Sequence, residues 1–172
     1  GNLPQKTGGY SELKLDRHQG IDLMPDIAFI NGRFLPWGEA TVSIDDRGFQ
    51  FGDAVYEVIR TYRGTPFEFA AHLARLNRSV GELSLCQPYT KAQWTRWIQQ
   101  GLSLAGYQDA KIYIQVTRGV APREHSFPAD ILPTVVMTIR EFHPLALDVR
   151  RTGVSACTRE DLRWGRCDIK SV

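Results

Sequence analysis

The residue with the clearest chemical potential is Lys170, which lies in the segment 167–171 of a 172-residue sequence. An amine whose pKa is lowered by burial or by a nearby positive charge is neutral, and a neutral amine attacks carbonyl groups to form a Schiff base. Most lysines are instead solvated surface charges. Lys170 alone leaves both interpretations open, so the remaining sequence must decide between them.

Four side chains earlier in the sequence are of types that bind carboxylate or phosphate groups: Tyr56, Arg75, Arg123 and His125. Arg75 has a fixed fork of donors that suits such anions, although a solvent-facing arginine is the simpler interpretation. Tyr56 begins a strand-like run, where its hydroxyl either enters a cleft or is the wet tip of a half-buried side chain. Arg123 and His125 belong to the proline-bracketed loop 118–128, which is either a rigid anion clamp or a polar surface crossover.

The composition is that of an ordinary globular chain, with 42% hydrophobic residues, 23% charged residues and a net charge of +2. No basic block or aromatic-basic alternation indicates a nucleic-acid surface. No apolar run approaches the roughly 18 residues that a membrane span needs, and no signal-peptide pattern opens the chain. We therefore expect a cytoplasmic protein with neither a nucleic-acid nor a membrane partner.

The three cysteines are Cys86, Cys157 and Cys167. Their odd number and wide spacing argue against a disulfide framework and against a zinc site. We expect no metal, and we expect the cysteines to be small core residues, with Cys167 placed to line a site.

Apolar runs and turn signals predict the elements that position these residues. Asn31-Gly32 between two apolar runs indicates a hairpin, and the loop 45–53 has two glycines suited to positive φ. The predicted strands are 27–30, 33–35, 40–44, 54–62, 66–69, 111–117, 132–139 and 153–158. Leucines and tryptophans at helical spacing predict two amphipathic helices, 70–85 and 90–105.

These elements predict an α+β fold, in which an N-terminal mixed sheet carries two helices and is followed by the truncated start of a second α/β domain. The loss of periodicity around His143-Pro144 marks the boundary. The predicted divisions are a mobile extension or expression remnant at 1–24, an N-terminal α+β domain at 25–140, a linker at 141–151 and an incomplete second domain at 152–172.

Four separated motifs, taken together, resemble a known family. They are DDRGFQFGDAVYE at 45–57, HLARL at 72–76, VTRG at 116–119 with PREH at 122–125, and RWGRCDIKS at 163–171. In this order they are similar to the fold-type IV (class IV) pyridoxal-phosphate aminotransferases, and within that group to the D-amino-acid aminotransferases. The resemblance runs from about residue 27 to the end and implies the class IV aminotransferase fold.

The resemblance implies a role for each candidate residue. The lysine matching Lys170 carries pyridoxal 5'-phosphate as a Schiff base and moves the proton between the substrate Cα and the cofactor. The arginine matching Arg75 binds the cofactor phosphate. Tyr56, Arg123 and His125 match the trap for the substrate α-carboxylate, and the last two come from the neighbouring subunit, which implies a homodimer with shared active sites.

The implied activity is transamination of D-amino acids such as D-alanine with a 2-oxo acid such as 2-oxoglutarate. Three alternatives stay open: a branched-chain L-aminotransferase, an aminodeoxychorismate lyase and a noncatalytic dimerisation fragment. In the family, the acid that faces the cofactor ring nitrogen and most of the phosphate cradle follow the lysine. We therefore expect the 172-residue chain alone to be inactive and to need further residues or a second polypeptide.

Overall fold

The computed structural model describes residues 26–161 and residue 165. Its strands are β1 (Ile27–Ile30), β2 (Arg33–Pro36), β3 (Ala54–Tyr62), β4 (Thr65–Pro66), β5 (Ala110–Thr117) and β6 (Val135–Glu141). Its α-helices are α1 (Arg47–Phe51), α2 (Phe69–Glu82), α3 (Lys91–Ala105) and α4 (Leu147–Thr152). In this part of the chain no helix is both long enough and apolar enough to cross a bilayer.

The six described strands form one sheet in the order β2-β1-β6-β5-β3-β4. The α+β class is confirmed, but all five ladders between these strands run antiparallel, so the sheet is not mixed. The reason is that α2 and α3 together return the chain to the end of the sheet where β3 finishes. There the backbone N–H of Gly64 donates to the carbonyl of Gln108 at 2.6 Å, and β5 then runs back along β3.

The β1–β2 hairpin is the turn that its sequence predicts. Asn31 and Gly32 adopt φ values of 48° and 88°, the left-handed conformations that a two-residue hairpin turn requires. The same asparagine joins the hairpin to the sheet centre, because its side-chain oxygen accepts from the N–H of Val135 at 2.7 Å. A turn residue therefore also fixes the register between β1 and β6.

The core lies between one face of the sheet and the helices α2 and α3. Leu73 and Leu76 of α2 and Trp94 and Ile98 of α3 are at most 3% exposed. They pack against inward-facing strand residues such as Ile59, which is fully buried. Full burial of a side chain of this kind contributes about 1.5–3 kcal/mol, so this layer holds both helices on the sheet.

The opposite face of β3 has no covering element among the described residues. Tyr56, Val58 and Tyr62 alternate with the buried positions and are 66%, 41% and 48% exposed. Side chains that alternate along a strand point to opposite faces. β3 therefore has one face that forms the core and another that is open among the described residues.

Three predicted elements differ in the structure. Residues 40–44 form no strand, and the chain enters a bridge at Asp46 instead. The predicted loop 45–53 contains α1, because the Asp46 carboxylate accepts from the N–H of Gly48 at 2.8 Å and caps a helical turn. The predicted strand 66–69 shortens to β4, because α2 already begins at Phe69.

The segment after β6 also differs from the prediction. Residues 153–158 form no strand, because a strand needs a partner for its backbone groups and none lies beside them in the described part of the chain. The predicted linker 141–151 contains most of α4, which buries none of its residues. Cys86 and Cys157 are exposed rather than core residues, and Cys167 lies outside the described residues.

Candidate active site

The first cluster of candidate residues joins α2 to β3 through the carboxylate of Glu57. Arg75 donates from Nε to Oε1 at 2.5 Å and from Nη2 to Oε2 at 2.7 Å. His72 places Nδ1 2.8 Å from Oε2, a distance at which a protonated Nδ1 donates to the carboxylate. Glu57 itself is 4% exposed. The cluster is therefore a buried acid that orients two side chains near the surface.

The charge state of Glu57 follows from opposing effects. Burial alone would raise the pKa of its carboxyl, but the hydrogen bonds and positive charges of Arg75 and His72 outweigh burial, so the pKa lies below its usual value. The same carboxylate raises the pKa of Arg75. Glu57 is thus ionised and keeps the Arg75 guanidinium charged.

One edge of Arg75 remains available. Its side chain is 56% exposed, and no described residue accepts a hydrogen bond from its Nη1. A guanidinium that is fixed along one edge and open along the other is suited to bind phosphate or carboxylate. The prediction that Arg75 binds the cofactor phosphate stays a prediction, but the geometry suits it.

Tyr56 is the neighbour of Glu57 in β3 but lies on the open face of the sheet. Its ring stacks on Tyr113 of β5, with centroids 5.9 Å apart and an interplanar angle of 27°. Tyr113 in turn donates to Gln115 Oε1 at 2.6 Å. Stacking fixes the direction in which the exposed Tyr56 ring projects, so its hydroxyl points away from the helical layer.

Arg123 and His125 meet on one aromatic ring. The Arg123 guanidinium carbon lies 4.6 Å from the centroid of Phe51, and the His125 ring centroid lies 5.6 Å from it. Both side chains are exposed. Within the described part of the chain no carboxylate forms an ion pair with Arg123, so its charge is open to an external anion.

These residues fall into two groups rather than one constellation. The loop of Arg123 and His125 follows β5, whose last residue pairs with Ala54 at the start of β3, so this loop and Tyr56 share one end of the sheet. No hydrogen bond or ion pair within residues 26–161 joins Arg123 or His125 to Tyr56 or Arg75. Lys170, the predicted catalytic residue, lies outside the described residues.

Five ionisable residues at these sites have no role in the predictions from sequence: Arg47, Asp53, Glu57, His72 and Arg118. Arg47 and Arg118 are only 3% and 8% exposed, whereas arginine is rarely buried unless it is paired. The sequence feature that could have indicated this group of residues is the position of Asp53, a charged residue directly before the strand β3. Its two partners, Arg47 and Arg118, are far from each other in sequence and are brought together only by folding.

The sequence comparisons decide the family. The family described as amino-transferase class IV matches residues 54–172. The chain belongs to this family. Two similar members are D-alanine aminotransferases: that of Staphylococcus haemolyticus is 44% identical over 144 residues, and that of Bacillus licheniformis is 40% identical over 142 residues. These matches cover 84% and 83% of this chain but 51% and 50% of the relatives, so the chain spans about half their length.

Solved class IV structures share the fold. The branched-chain amino acid aminotransferase of Escherichia coli has a TM-score of 0.64 at 20% identity, covering 69% of this chain and 40% of that one. The branched-chain aminotransferase of the thermophilic archaeon Thermoproteus uzoniensis, solved with norvaline, has a TM-score of 0.60 at 22% identity, covering 68% and 41%. A further branched-chain amino acid aminotransferase, that of T.th., was solved with pyridoxamine 5'-phosphate and has a TM-score of 0.66 at 22% identity, covering 72% and 42%. At these identities the likeness establishes the fold alone, and for this class IV chain it supports the sheet and helix arrangement described above.

Proposed function

We propose that this class IV chain is part of a pyridoxal-phosphate-dependent aminotransferase that exchanges amino groups between D-amino acids such as D-alanine and 2-oxo acids such as 2-oxoglutarate. The observation that carries the proposal is the 44% identity to a D-alanine aminotransferase over 144 residues. The predicted cytoplasmic location and the predicted domain division at 141–151 belong to the same proposal.

The residues of this chain fit the cofactor at its phosphate end. Arg75 is half exposed, charged and held along one edge by Glu57, so its other edge can pair with a phosphate without losing the internal bonds. A pre-oriented guanidinium loses little side-chain freedom when the anion binds. When bound, pyridoxal phosphate supplies the electron sink that makes the substrate Cα–H acidic.

Lys170 is the proposed proton carrier. A primary amine that is neutral beside the substrate would take a proton from the substrate Cα and later release it, which is general acid–base catalysis by one group. The role rests on the position of Lys170 in the motif RWGRCDIKS.

Tyr56, Arg123 and His125 are proposed to hold the substrate α-carboxylate. Arg123 offers a charge with no acidic partner in the described residues, and Tyr56 offers an exposed hydroxyl. Holding the carboxylate on one side fixes which hydrogen of Cα faces the base, so the choice between D and L substrates follows from geometry. Because these groups form no common cluster among the described residues of one chain, we propose a homodimer in which Arg123 and His125 complete the neighbouring subunit's site.

The experiment is a pair of assays on the enzyme as its gene encodes it. We expect pyridoxal phosphate to give a visible absorbance band that Lys170→Ala abolishes, and we expect turnover of D-alanine with 2-oxoglutarate but not of L-alanine. Turnover of branched-chain L-amino acids, or release of pyruvate from aminodeoxychorismate, would instead favour the two related activities. Cofactor binding without any turnover would favour a noncatalytic role.

A matched pair of variants tests the phosphate role of Arg75. Arg78 lies one turn away on the same helix and is also exposed, so Arg75→Gln and Arg78→Gln remove the same charge from one surface. We expect the first to weaken pyridoxal phosphate binding by about 10-fold or more and the second to leave it unchanged. Equal affinities in the two variants would remove Arg75 from the phosphate site.

A further inference from the structure

The loop that carries Arg123 and His125 is held by alternating guanidinium groups and aromatic rings. Arg118 lies 4.2 Å from the ring centroid of Phe127, and Arg47 lies 5.6 Å from the same ring. On its other side Arg47 lies 4.7 Å from the centroid of Phe51, and Arg123 lies 4.6 Å from that ring. Cations within about 6 Å of a ring face are attracted by its quadrupole. The stack therefore leads from buried arginines to the exposed Arg123.

One carboxylate, that of Asp53, forms ion pairs with both buried arginines. Its Oδ2 accepts from Arg47 Nε at 2.9 Å and from Arg118 Nε at 2.7 Å, and its Oδ1 accepts from Arg118 Nη2 at 3.1 Å. The side chains of Arg47 and Arg118 are 3% and 9% exposed. Without this carboxylate the two buried guanidinium groups would keep only hydrogen bonds to backbone carbonyls, and buried charges that lose their ionic partner are strongly destabilising.

Arg47 connects Asp53 to the backbone of the loop that carries Arg123 and His125. Its Nη1 donates to the carbonyl of Glu124 at 2.8 Å and to that of Ser126 at 3.4 Å. These carbonyls lie on either side of His125, and Glu124 directly follows Arg123 in sequence. The beginning of the loop is fixed as well, because the backbone N–H of Arg118 donates to the Asp53 carbonyl at 3.0 Å.

We propose that Asp53 is a positioning residue for substrate binding, which acts through Arg47 to hold Arg123 and His125 where they meet the substrate carboxylate. The inference rests on the proposed function, since it assigns Asp53 a task in that carboxylate site. Asp53 does not touch the substrate. Asp53 fixes the Arg47 guanidinium, which in turn fixes the loop that carries Arg123 and His125. A carboxylate-binding site whose side chains are displaced by about 1 Å loses much of its affinity.

The decisive variant is Asp53→Asn in the holoenzyme, with Asp45→Asn as the matched control. Asp45 is an exposed carboxylate of the same segment whose side chain accepts only from Gln50, at 3.3 Å, among the described residues. We expect Asp53→Asn to raise KM for both D-alanine and 2-oxoglutarate about 10-fold while kcat changes less than about threefold. The cofactor absorbance should stay unchanged, and Asp45→Asn should match the wild type in every respect.

A second variant and a proteolysis measurement also test the positioning role of Asp53. Phe127→Leu removes the ring between the two arginines without removing a charge, and because Phe127 is 70% exposed this variant should fold and raise KM a few-fold. Tryptic cleavage after Arg123, followed by mass spectrometry, should be faster in both variants whether or not the enzyme turns over.

The outcomes separate the inference from the function on which it rests. A wild-type enzyme that does not transaminate D-alanine contradicts the proposed function, and cleavage after Arg123 then decides whether Asp53 holds the loop. An active wild type with unchanged KM in Asp53→Asn and Phe127→Leu overturns the positioning role. An equal loss of kcat and of bound cofactor in Asp53→Asn would also overturn it, because general destabilisation would explain that result.

Discussion

Two carboxylates that are paired with arginines, Asp53 and Glu57, link the candidate site to acid stability. For each, burial would raise the pKa, but the paired Arg118 and Arg47, or Arg75 and His72, lower it below the usual value. The unfolded chain then binds more protons than the folded one as pH falls below about 4. Both carboxylates therefore contribute stability that is complete above the unfolded pKa and is lost as pH falls through the folded pKa.

We predict that the free energy of unfolding falls as pH drops from about 5 to below about 3, because the ordinary carboxyl pKa values lie at about 4 and the folded values lie lower. Urea unfolding at a series of pH values measures this dependence. Asp53→Asn and Glu57→Gln should each flatten the profile, whereas Asp148→Asn, at an exposed position of α4, should not. A profile of unchanged slope in both buried-site variants would contradict the ion-pair origin of acid sensitivity.

At the scale of single residues, the sequence predicted the groups that face outward better than those that hold them. The side-chain types of Tyr56, Arg75, Arg123 and His125 suit an anion, and all four residues are exposed. The sequence does not indicate the roles of Asp53 and Arg47, because the burial of a charge depends on partners that folding brings together. A sequence pattern records the type of a side chain but not the distance to its partner.

At the scale of elements, Gly119 is the point where β5 turns into the loop of Arg123 and His125. Its φ is 113°, and an added Cβ would lie 2.0 Å from the carbonyl oxygen of Leu132. A side chain at position 119 would be strained by the positive φ, and it would also clash with a backbone atom that cannot move without a cost in free energy. This glycine therefore sets the path of the whole loop.

We predict that Gly119→Ala lowers the free energy of unfolding by about 3 kcal/mol or more, since positive-φ strain and a backbone clash add together. Gly38→Ala is the matched control, because an added Cβ there meets nothing within 4 Å and should change stability by less than about 0.5 kcal/mol. Thermal or urea unfolding compares the two. Similar stabilities would show that the loop rearranges without cost.

Element prediction succeeded where local sequence alone determines structure. The Asn31-Gly32 hairpin needs only its turn residues, and α3 begins with a reciprocal capping box between Thr90 and Gln93. It failed at residues 40–44 and 153–158, where β-favouring residues find no partner strand among the described residues. Strand formation depends on pairing across the fold, which periodicity does not report.

At the scale of the whole molecule, β6 is the element that closes the sheet. It lies between β1, near the start of the described chain, and β5, so it joins the N-terminal hairpin to the rest. The bond between Asn31 and Val135 spans 104 residues of sequence. Such a contact requires closure of a long loop, so its formation depends on the structure between its two ends.

We predict that the fragment 26–142 unfolds in a single cooperative urea transition. It contains both α2 and α3, and it keeps the contact between Phe142 and Arg60, whose guanidinium carbon lies 4.0 Å from the ring centroid. The fragment 26–161 should have nearly the same midpoint, because α4 buries none of its residues. The fragment 26–134, which lacks β6, should show no cooperative transition, because β1 and β5 would each lose a neighbour and leave backbone groups unpaired. Circular dichroism during urea titration measures all three, and a cooperative transition in 26–134 would mean that the fold does not depend on its central strand.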